Sequence, residues 1–171
     1  LASAAKRSGV KRFILLSSIK VNGEATSENI LYGNSAIAPE GVYANHKAKA
    51  EECVTATFHG SSTEWIIVRP PIVYGQGAGG AVRGLLLLNT LPVSFSFKQL
   101  GNIRASIGVS NLADFIAYIS VSNLECHALN RSYVITDRPP LDLNFLVARF
   151  NELGDSYFTF RRPMIDLSKA I

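Results

Sequence analysis

Three side chains in the first part of the chain have the types and the spacing of an acid–base site. Tyr43 and Lys47 lie four positions apart, so on a helix both side chains share one face, one turn apart. A free tyrosine titrates at about pH 10, but a neighbouring cation stabilises the phenolate and makes it a usable base near neutrality. Ser18 ends an apolar run upstream, where its hydroxyl can hold a substrate hydroxyl or carbonyl. These residues predict proton transfer on a small oxygen-bearing substrate.

The elements around the Tyr/Lys pair strengthen this prediction, because the spacing alone also occurs by chance. Residues 12–16 form a short apolar run that is typical of a buried strand. A helix is predicted from about residue 42 to residue 58, and it carries the Tyr/Lys pair. Residues 65–68 form a second buried strand, which Pro70 and Pro71 end. Strand, helix and strand in this order predict a βαβ unit with parallel strands.

The two predicted strands end in residues that a ligand can contact. In open parallel sheets, ligands bind beyond the carboxyl ends of the strands. Ser17 and Ser18 follow the first strand, and Pro70 and Pro71 follow the second. The catalytic pair and the packing stripe of the helix are both expected to face the sheet, on a shared face that comprises Tyr43, Lys47, Ala50 and Val54.

Four ordered segments carry a family resemblance. They are residues 15–18 (LLSS), residues 21–23 (VNG), the Tyr/Lys pair, and residues 68–75 (VRPPIVYG). In this order and spacing, over about residues 1–77, they resemble the extended short-chain dehydrogenase/reductase family, in its nucleotide-sugar epimerase/dehydratase branch. The resemblance implies an NAD cofactor, with NADP not excluded, and a UDP-sugar-like nucleotide-sugar substrate.

The resemblance also implies a role for individual residues. Tyr43 is expected to be the acid/base, Lys47 to support it and hold the nicotinamide ribose, and Ser18 to orient the C4 oxygen of the sugar. Residues 101–109 are similar to the segment in which this family places an arginine on the nucleotide diphosphate, a role that falls here to Arg104. The expected cofactor-binding residues are Ser17, Tyr43, Lys47, Pro70 and Ile72. The expected substrate-binding residues are Ser18, Lys20, Asn22 and Arg104.

The residues after Ser18 narrow the expected reaction. Dehydratases of the resembled branch place an Asp-Glu pair there, because elimination of water needs its own acid and base. Ile19 and Lys20 occupy these positions, which disfavours dehydration. We expect an NAD(P)-dependent 4-epimerase that transfers hydride at sugar C4. A nucleotide-sugar 4-keto reductase of surface polysaccharide synthesis is the alternative, and a catalytically silent dinucleotide-fold binding module is an alternative of another class.

The predicted fold class is α/β, with the C-terminal part of a Rossmann-like parallel sheet and a smaller substrate-binding lobe. We expect residues 1–77 to belong to the NAD(P)-binding domain and residues 78–171 mostly to the substrate lobe, with about 104–122 packing back toward the Rossmann part. Further helices are predicted over about 80–88, 110–121 and 142–153, and a strand over 132–136.

The Gly-rich phosphate-binding turn of this family has no counterpart before Ser17. The glycines from Gly75 to Gly80 follow a strand but have the wrong position and spacing for that turn. We therefore expect the chain to be a fragment that binds NAD weakly or not at all, without turnover of its own. In the full-length protein, the resemblance implies a homodimer.

Composition excludes several other classes. The net charge of +4 comes from scattered lysines and arginines, which disfavours a nucleic-acid surface. The three histidines are unclustered, so no metal site is expected. The apolar run at residues 85–88 is far too short for a membrane span. The two isolated cysteines indicate free thiols, and a cytoplasmic location is expected.

Overall fold

The computed structural model describes residues 1–23, 30–77, 94–96, 103–138, 140–142 and 164–166. They belong to two compact units. The first consists of Leu1–Pro71 and Ser110–Ile135, and the second of Ile72–Val109 and Thr136–Ile171. The roles predicted for the two parts of the chain stay predictions. The helix predicted over 80–88 and most of that over 142–153 lie outside the described residues.

In chain order, the helices and strands are α1 (Ala2–Arg7), β1 (Arg12–Leu16), a 3-10 helix (Ile19–Asn22), α2 (Gly41–Phe58), β2 (Glu64–Arg69), β3 (Ile72–Tyr74), β4 (Ser94–Ser96), β5 (Ile103–Arg104), β6 (Ser106–Gly108), α3 (Val109–Val121), a second 3-10 helix (Cys126–Ala128), β7 (Arg131–Val134), β8 (Leu141–Asp142) and β9 (Met164–Asp166). Among the described residues, no helix is long and apolar enough to cross a membrane.

A parallel sheet with the strand order β1-β2-β7 forms the centre of the first unit. Strands β1 and β2 pair from Arg12 opposite Glu64 to Leu16 opposite Val68. Strand β7 pairs with the other edge of β2, and Arg69 lies opposite Val134. Because α2 connects two neighbouring parallel strands, the predicted βαβ unit and the α/β fold class are confirmed.

The core of the first unit lies between β2 and the inner faces of the helices. Residues 66–68 of β2 are almost completely buried, since the central strand is paired on both edges and covered on its faces. Ile67 packs with Val54 and Phe58 of α2 and with Ala2 of α1. The ring of Phe58 also contacts that of Phe13 in β1, with 5.1 Å between the centroids. Burial of these apolar side chains stabilises the arrangement of strand and helix.

The buried face of α2 differs from the predicted one. It consists of Ala44, Glu51, Val54 and Phe58. Val54 is buried as expected, but Tyr43 is 56% exposed. The cause is the position of the first turns of α2: Lys47, in the second turn, already contacts Leu16, the last residue of β1. Tyr43 therefore lies beyond the strand end, where the sheet no longer covers it.

A buried ion pair connects α2 to the end of β2. Arg69 donates from Nε and Nη2 to the two carboxylate oxygens of Glu51, at 2.9 and 2.6 Å. The two side chains are only 3% and 4% exposed. Arg69 also donates from Nη1 to the carbonyl oxygen of Gly33 at 3.1 Å and to Oδ1 of Asn22 at 3.3 Å. One guanidinium group thus links the strand, the helix, the turn after β1 and the loop before α2.

Gly33 must be a glycine for this loop to reach Arg69. A Cβ atom at this position would collide with the backbone carbonyl of Ser132 in β7. The loop therefore passes directly against the third strand of the sheet. This close approach needs a residue without a side chain.

In the second unit, β3 and β6 pair in parallel, β4 and β9 pair in parallel, and β5 and β8 pair antiparallel. Asp137 joins the first of these pairs. Its Oδ2 accepts from the Tyr74 hydroxyl and from the Gly108 N–H, both at 2.8 Å. Its own N–H donates to the carbonyl oxygen of Ser106 at 2.8 Å. The side chain and backbone of one residue thus bind both strands.

Neutralising Glu51 should destabilise the first unit. Glu51→Gln leaves the buried Arg69 without a counter-ion, and we expect a loss of about 3–5 kcal/mol in the free energy of unfolding. The control is Glu125→Gln, because Glu125 and His127 form a pair, ionic only when His127 is protonated, in which both side chains are about three-quarters exposed or more. Such exposed pairs contribute about 0–1 kcal/mol. Denaturant unfolding measures both changes, and equal losses would contradict a structural role for the buried pair.

The Tyr74 phenol should ionise at higher pH than an ordinary tyrosine. Its hydrogen bond to Asp137, then burial, then the carboxylate charge raise the pKa of Tyr74 above the ordinary value of about 10. The stabilising contribution is therefore complete below about pH 10 and is lost as the pH rises through the folded-state pKa.

Ultraviolet titration, with Tyr74→Phe to assign the signal, measures this ionisation. Asp137→Asn is expected to lower the pKa of Tyr74 toward the ordinary value, since the negative acceptor is gone. An unchanged titration curve in Asp137→Asn would show that Asp137 is not the cause.

Candidate active site

The backbone beyond β1 places Ser18 at the carboxyl edge of the sheet. The Ser17 N–H donates to the carbonyl oxygen of Val68 at 2.7 Å, and the Ile19 N–H donates to that of Pro70 at 3.0 Å. Ser18, between them, has extended backbone angles, and its Oγ accepts from the Lys20 N–H at 3.3 Å. This contact caps the 3-10 helix that follows. The Ser18 hydroxyl is therefore held at the strand end. Its oxygen accepts from Lys20, and its hydrogen can still be donated to a ligand.

The start of α2 is held against the same edge. The Nζ of Lys47 donates to the carbonyl oxygen of Leu16 at 2.9 Å, two residues before Ser18. The same Nζ lies 5.8 Å from the centroid of the Tyr43 ring, within the range of a cation–π contact. The structure therefore brings the Tyr/Lys pair to the strand end that carries Ser18.

The other residues predicted to bind the cofactor are found in both units. In the described part of the chain, the buried Oγ of Ser17 has no hydrogen-bond partner. Pro70, directly after β2, is buried, and its carbonyl oxygen accepts from the Ile19 N–H. Ile72 begins β3 in the second unit. Their cofactor-binding roles stay predictions.

The residues predicted to bind substrate differ in exposure. Lys20 is exposed in the 3-10 helix directly after Ser18. Arg104 is half-buried in β5 of the second unit. Asn22 is buried, and its Nδ2 donates to the carbonyl oxygens of Ser35 and Ala36 at 3.1 and 2.9 Å. Since its Oδ1 also accepts from Arg69, the observed contacts of Asn22 are structural, and its substrate role stays a prediction.

Sequence reasoning missed the Arg69–Glu51 ion pair that lies behind this edge. A signal for it does exist. Glu51 is one helical turn beyond Lys47 and two beyond Tyr43, so a charged residue continues the face that carries the site. A carboxylate on the face of a helix that packs against a sheet needs a cation, because buried charges are paired. Arg69, after a run of apolar strand residues, was the available partner.

The described residues include hydrogen-bond donors of the kind that a nicotinamide cofactor needs. The ammonium group of Lys47 has three hydrogens, of which the Leu16 carbonyl takes one, so others remain for the hydroxyls of a ribose. The exposed Tyr43 phenol and the unpartnered Ser17 hydroxyl add polar groups near the same strand end. Among the described residues, no group of His, Cys, Asp or Glu side chains could hold a metal ion. Both cysteines are free and exposed.

The sequence and the fold are similar to those of known proteins. A family model described as NAD(P)H-binding matches residues 1–118. The chain is 40% identical to a UDP-glucose 4-epimerase of Vibrio cholerae over 118 residues, which are 68% of this chain and 36% of that protein.

Solved structures share the fold at low sequence identity. The UDP-glucose 4-epimerase of Thermotoga maritima with UDP-glucose has a TM-score of 0.72 and 16% identity, over 97% of this chain and 54% of that one. The dTDP-glucose 4,6-dehydratase of Bacillus anthracis with NAD has a TM-score of 0.75 and 14% identity, over 96% of this chain and 53% of that one.

The chain thus spans about a third of the curated relative and about half of the two solved proteins. The family match confirms the predicted NAD(P)-type cofactor, and the shared fold confirms the Rossmann-like sheet. Because the family match covers well over half of its residues, the chain belongs to the NAD(P)H-binding family. Its similarity to the Vibrio cholerae protein, and in fold to the two solved proteins, agrees with the resemblance to the extended short-chain dehydrogenases/reductases.

Proposed function

We propose that this chain carries the catalytic site of an NAD(P)-dependent nucleotide-sugar 4-epimerase, with Ser18, Tyr43 and Lys47 as catalytic residues. One observation carries the proposal: the hydrogen bond from Lys47 Nζ to the Leu16 carbonyl holds the Tyr/Lys helix against the strand end that presents Ser18. The relative from Vibrio cholerae, named a UDP-glucose 4-epimerase, supports 4-epimerisation. As the chain spans only part of its relatives, the proposal concerns the whole protein.

The proton transfer is assigned to Tyr43. Its exposed phenol is accessible to a substrate, and the ammonium group of Lys47, 5.8 Å from the centroid of the Tyr43 ring, is the neighbouring cation that this role requires. As the base, Tyr43 takes the proton of the C4 hydroxyl, and as the acid it returns this proton when the opposite face of the sugar is reduced. NAD, when bound, accepts the hydride from C4 and gives it back. The free N–H groups of Lys47 hold the nicotinamide ribose.

The other residues orient the two ligands. Ser18 donates its hydroxyl hydrogen to the C4 oxygen while its Oγ still accepts from the Lys20 N–H. Lys20 is assigned to the sugar side, and Arg104 to the diphosphate of a UDP-sugar-like substrate. Asn22, also predicted to bind substrate, uses both its amide oxygen and its amide nitrogen in structural contacts and is assigned a supporting role on this side. The cofactor side is assigned to Ser17, Tyr43, Lys47, Pro70 and Ile72.

Several features of the whole protein are proposed on the family resemblance. Residues 1–77 are assigned to the NAD(P)-binding domain and residues 78–171 mostly to a substrate lobe. The same proposal includes a homodimer that pairs through α2 and the helix before it. It also includes a cytoplasmic location and a role in surface polysaccharide synthesis.

Replacing the Tyr43 hydroxyl tests the proposed chemistry. Tyr43→Phe, in the protein expressed from its complete reading frame, is expected to lower kcat by about 10²–10⁴-fold, since the acid/base is removed. NAD binding should persist, because Tyr43 loses only its hydroxyl and the other residues assigned to the cofactor side are unchanged. Conversion of UDP-glucose and UDP-N-acetylglucosamine to their C4 epimers is followed by NMR. Tyr118→Phe is the matched control, as this phenol is 60% exposed on α3. Full activity of Tyr43→Phe would contradict the assignment.

The same assay separates the alternatives. Epimer formation without net change in NADH supports the 4-epimerase. Stoichiometric NAD(P)H consumption with a 4-keto sugar identifies a 4-keto reductase instead. Bound NAD without turnover of either kind of substrate identifies a binding module.

A further inference from the structure

We propose that Arg69 is a positioning residue: its guanidinium group sets where the turn of Ser18 lies relative to the helix of Tyr43 and Lys47. This inference rests on the proposed function, because it concerns the geometry of the same site. Arg69 is buried and is not expected to contact substrate or cofactor. It acts through Asn22 on one side and through Glu51 on the other.

Asn22 connects Arg69 to the turn that Ser18 starts. Ser18 caps the 3-10 helix, and Asn22 is the last residue of this helix. The Oδ1 of Asn22 accepts from Arg69 Nη1, while its Nδ2 donates to two carbonyl groups of the loop before α2. Both ends of the amide are therefore used. A shift of the turn would break these three hydrogen bonds together.

Glu51 connects Arg69 to the helix of the catalytic pair. Residues 43, 47 and 51 follow one another at the spacing of helical turns, so all three belong to one side of α2. Both oxygens of Glu51 accept from Arg69, in the fork-to-fork geometry that fixes orientation as well as distance. The position of α2 along and around its axis is thus determined relative to Arg69.

Stability alone does not account for this network. Replacing a buried ion pair by apolar residues of similar volume is often neutral or stabilising, so an apolar contact could hold α2 on the sheet equally well. Such a contact is non-directional, whereas the planar guanidinium fork has fixed donor directions. Catalytic groups need to be held to within about 0.5 Å. Directional contacts to both parts of the site supply this precision.

Asn22→Ala tests the link, because it removes the acceptor for Arg69 Nη1 and leaves the Arg69–Glu51 pair intact. In the protein expressed from its complete reading frame, we expect kcat to fall by about 10²-fold, as for a misplacement near 1 Å, with KM little changed. Asn45→Ala is the matched control: Asn45 also donates to two backbone carbonyls, those of Gly41 and Pro39, without contacting Arg69. Asn22→Asp keeps an oxygen for Arg69 and should retain more turnover than Asn22→Ala.

Amide hydrogen exchange provides a readout that needs no turnover. The N–H groups of Val21 and Gly23 donate within the turn, to the carbonyl oxygens of Ser18 and Lys20. They should exchange faster in Asn22→Ala than in Asn45→Ala, while the amides of β2 stay protected in both. Denaturant unfolding shows whether each variant is folded.

Four results would overturn the inference or the proposal beneath it. A kcat of Asn22→Ala equal to that of Asn45→Ala, or a rise in KM alone, contradicts positioning by Arg69. Unchanged exchange in the turn contradicts it as well, even if Asn22→Ala is too unstable to assay. If the unmodified protein has no nucleotide-sugar turnover, the proposed function fails, and the exchange comparison alone then decides whether Arg69 positions the turn.

Discussion

The buried ion pair between Arg69 and Glu51 is the interaction on which the rest of the first unit depends. Removing two charges from water costs several kcal/mol for each ion, and only good geometry with further hydrogen bonds offsets this cost. Arg69 meets the condition by donating to Glu51, Asn22 and Gly33. The end of β2, helix α2, the turn after β1 and the loop before α2 must therefore lie where these donors can reach them.

The apolar core and the candidate site occupy successive positions along the same elements. Ile67 of β2 packs with Val54 and Phe58 toward the C-terminal end of α2. The catalytic pair lies at the other end of α2, beyond the last residue of β1. At the strand end, backbone groups are no longer all used by the sheet, so the Leu16 carbonyl can accept from Lys47 and the Ser18 hydroxyl can serve a ligand. The core thus supports a site in which Tyr43 is exposed and Lys47 half-buried, while Ser17 and Ser18 are buried at the strand end.

Long or strongly apolar elements were predictable from the sequence. The predicted helix from about residue 42 to residue 58 corresponds to α2, which begins one residue earlier, and the predicted helix over 110–121 corresponds to α3. The strands over 12–16 and 65–68 are present as β1 and β2. The short 3-10 helix after Ser18 and the two-residue strands β5 and β8 were not predicted. Elements of so few residues carry no periodicity, and a cap or a neighbouring strand decides whether they form.

The residue types of the candidate site, and their order, are properties of the sequence. The spacing of Tyr43 and Lys47 on a helix follows from helical geometry, and the place of Ser18 follows from an apolar run that must end at the edge of a sheet. The sequence does not determine the partners of buried polar groups, because pairing depends on distances across the fold. Neither the 18 positions between Glu51 and Arg69 nor the 47 between Asn22 and Arg69 indicate a contact. Only the packing of α2 and the turn against β2 brings these side chains together, since each buried charge must find its partner there.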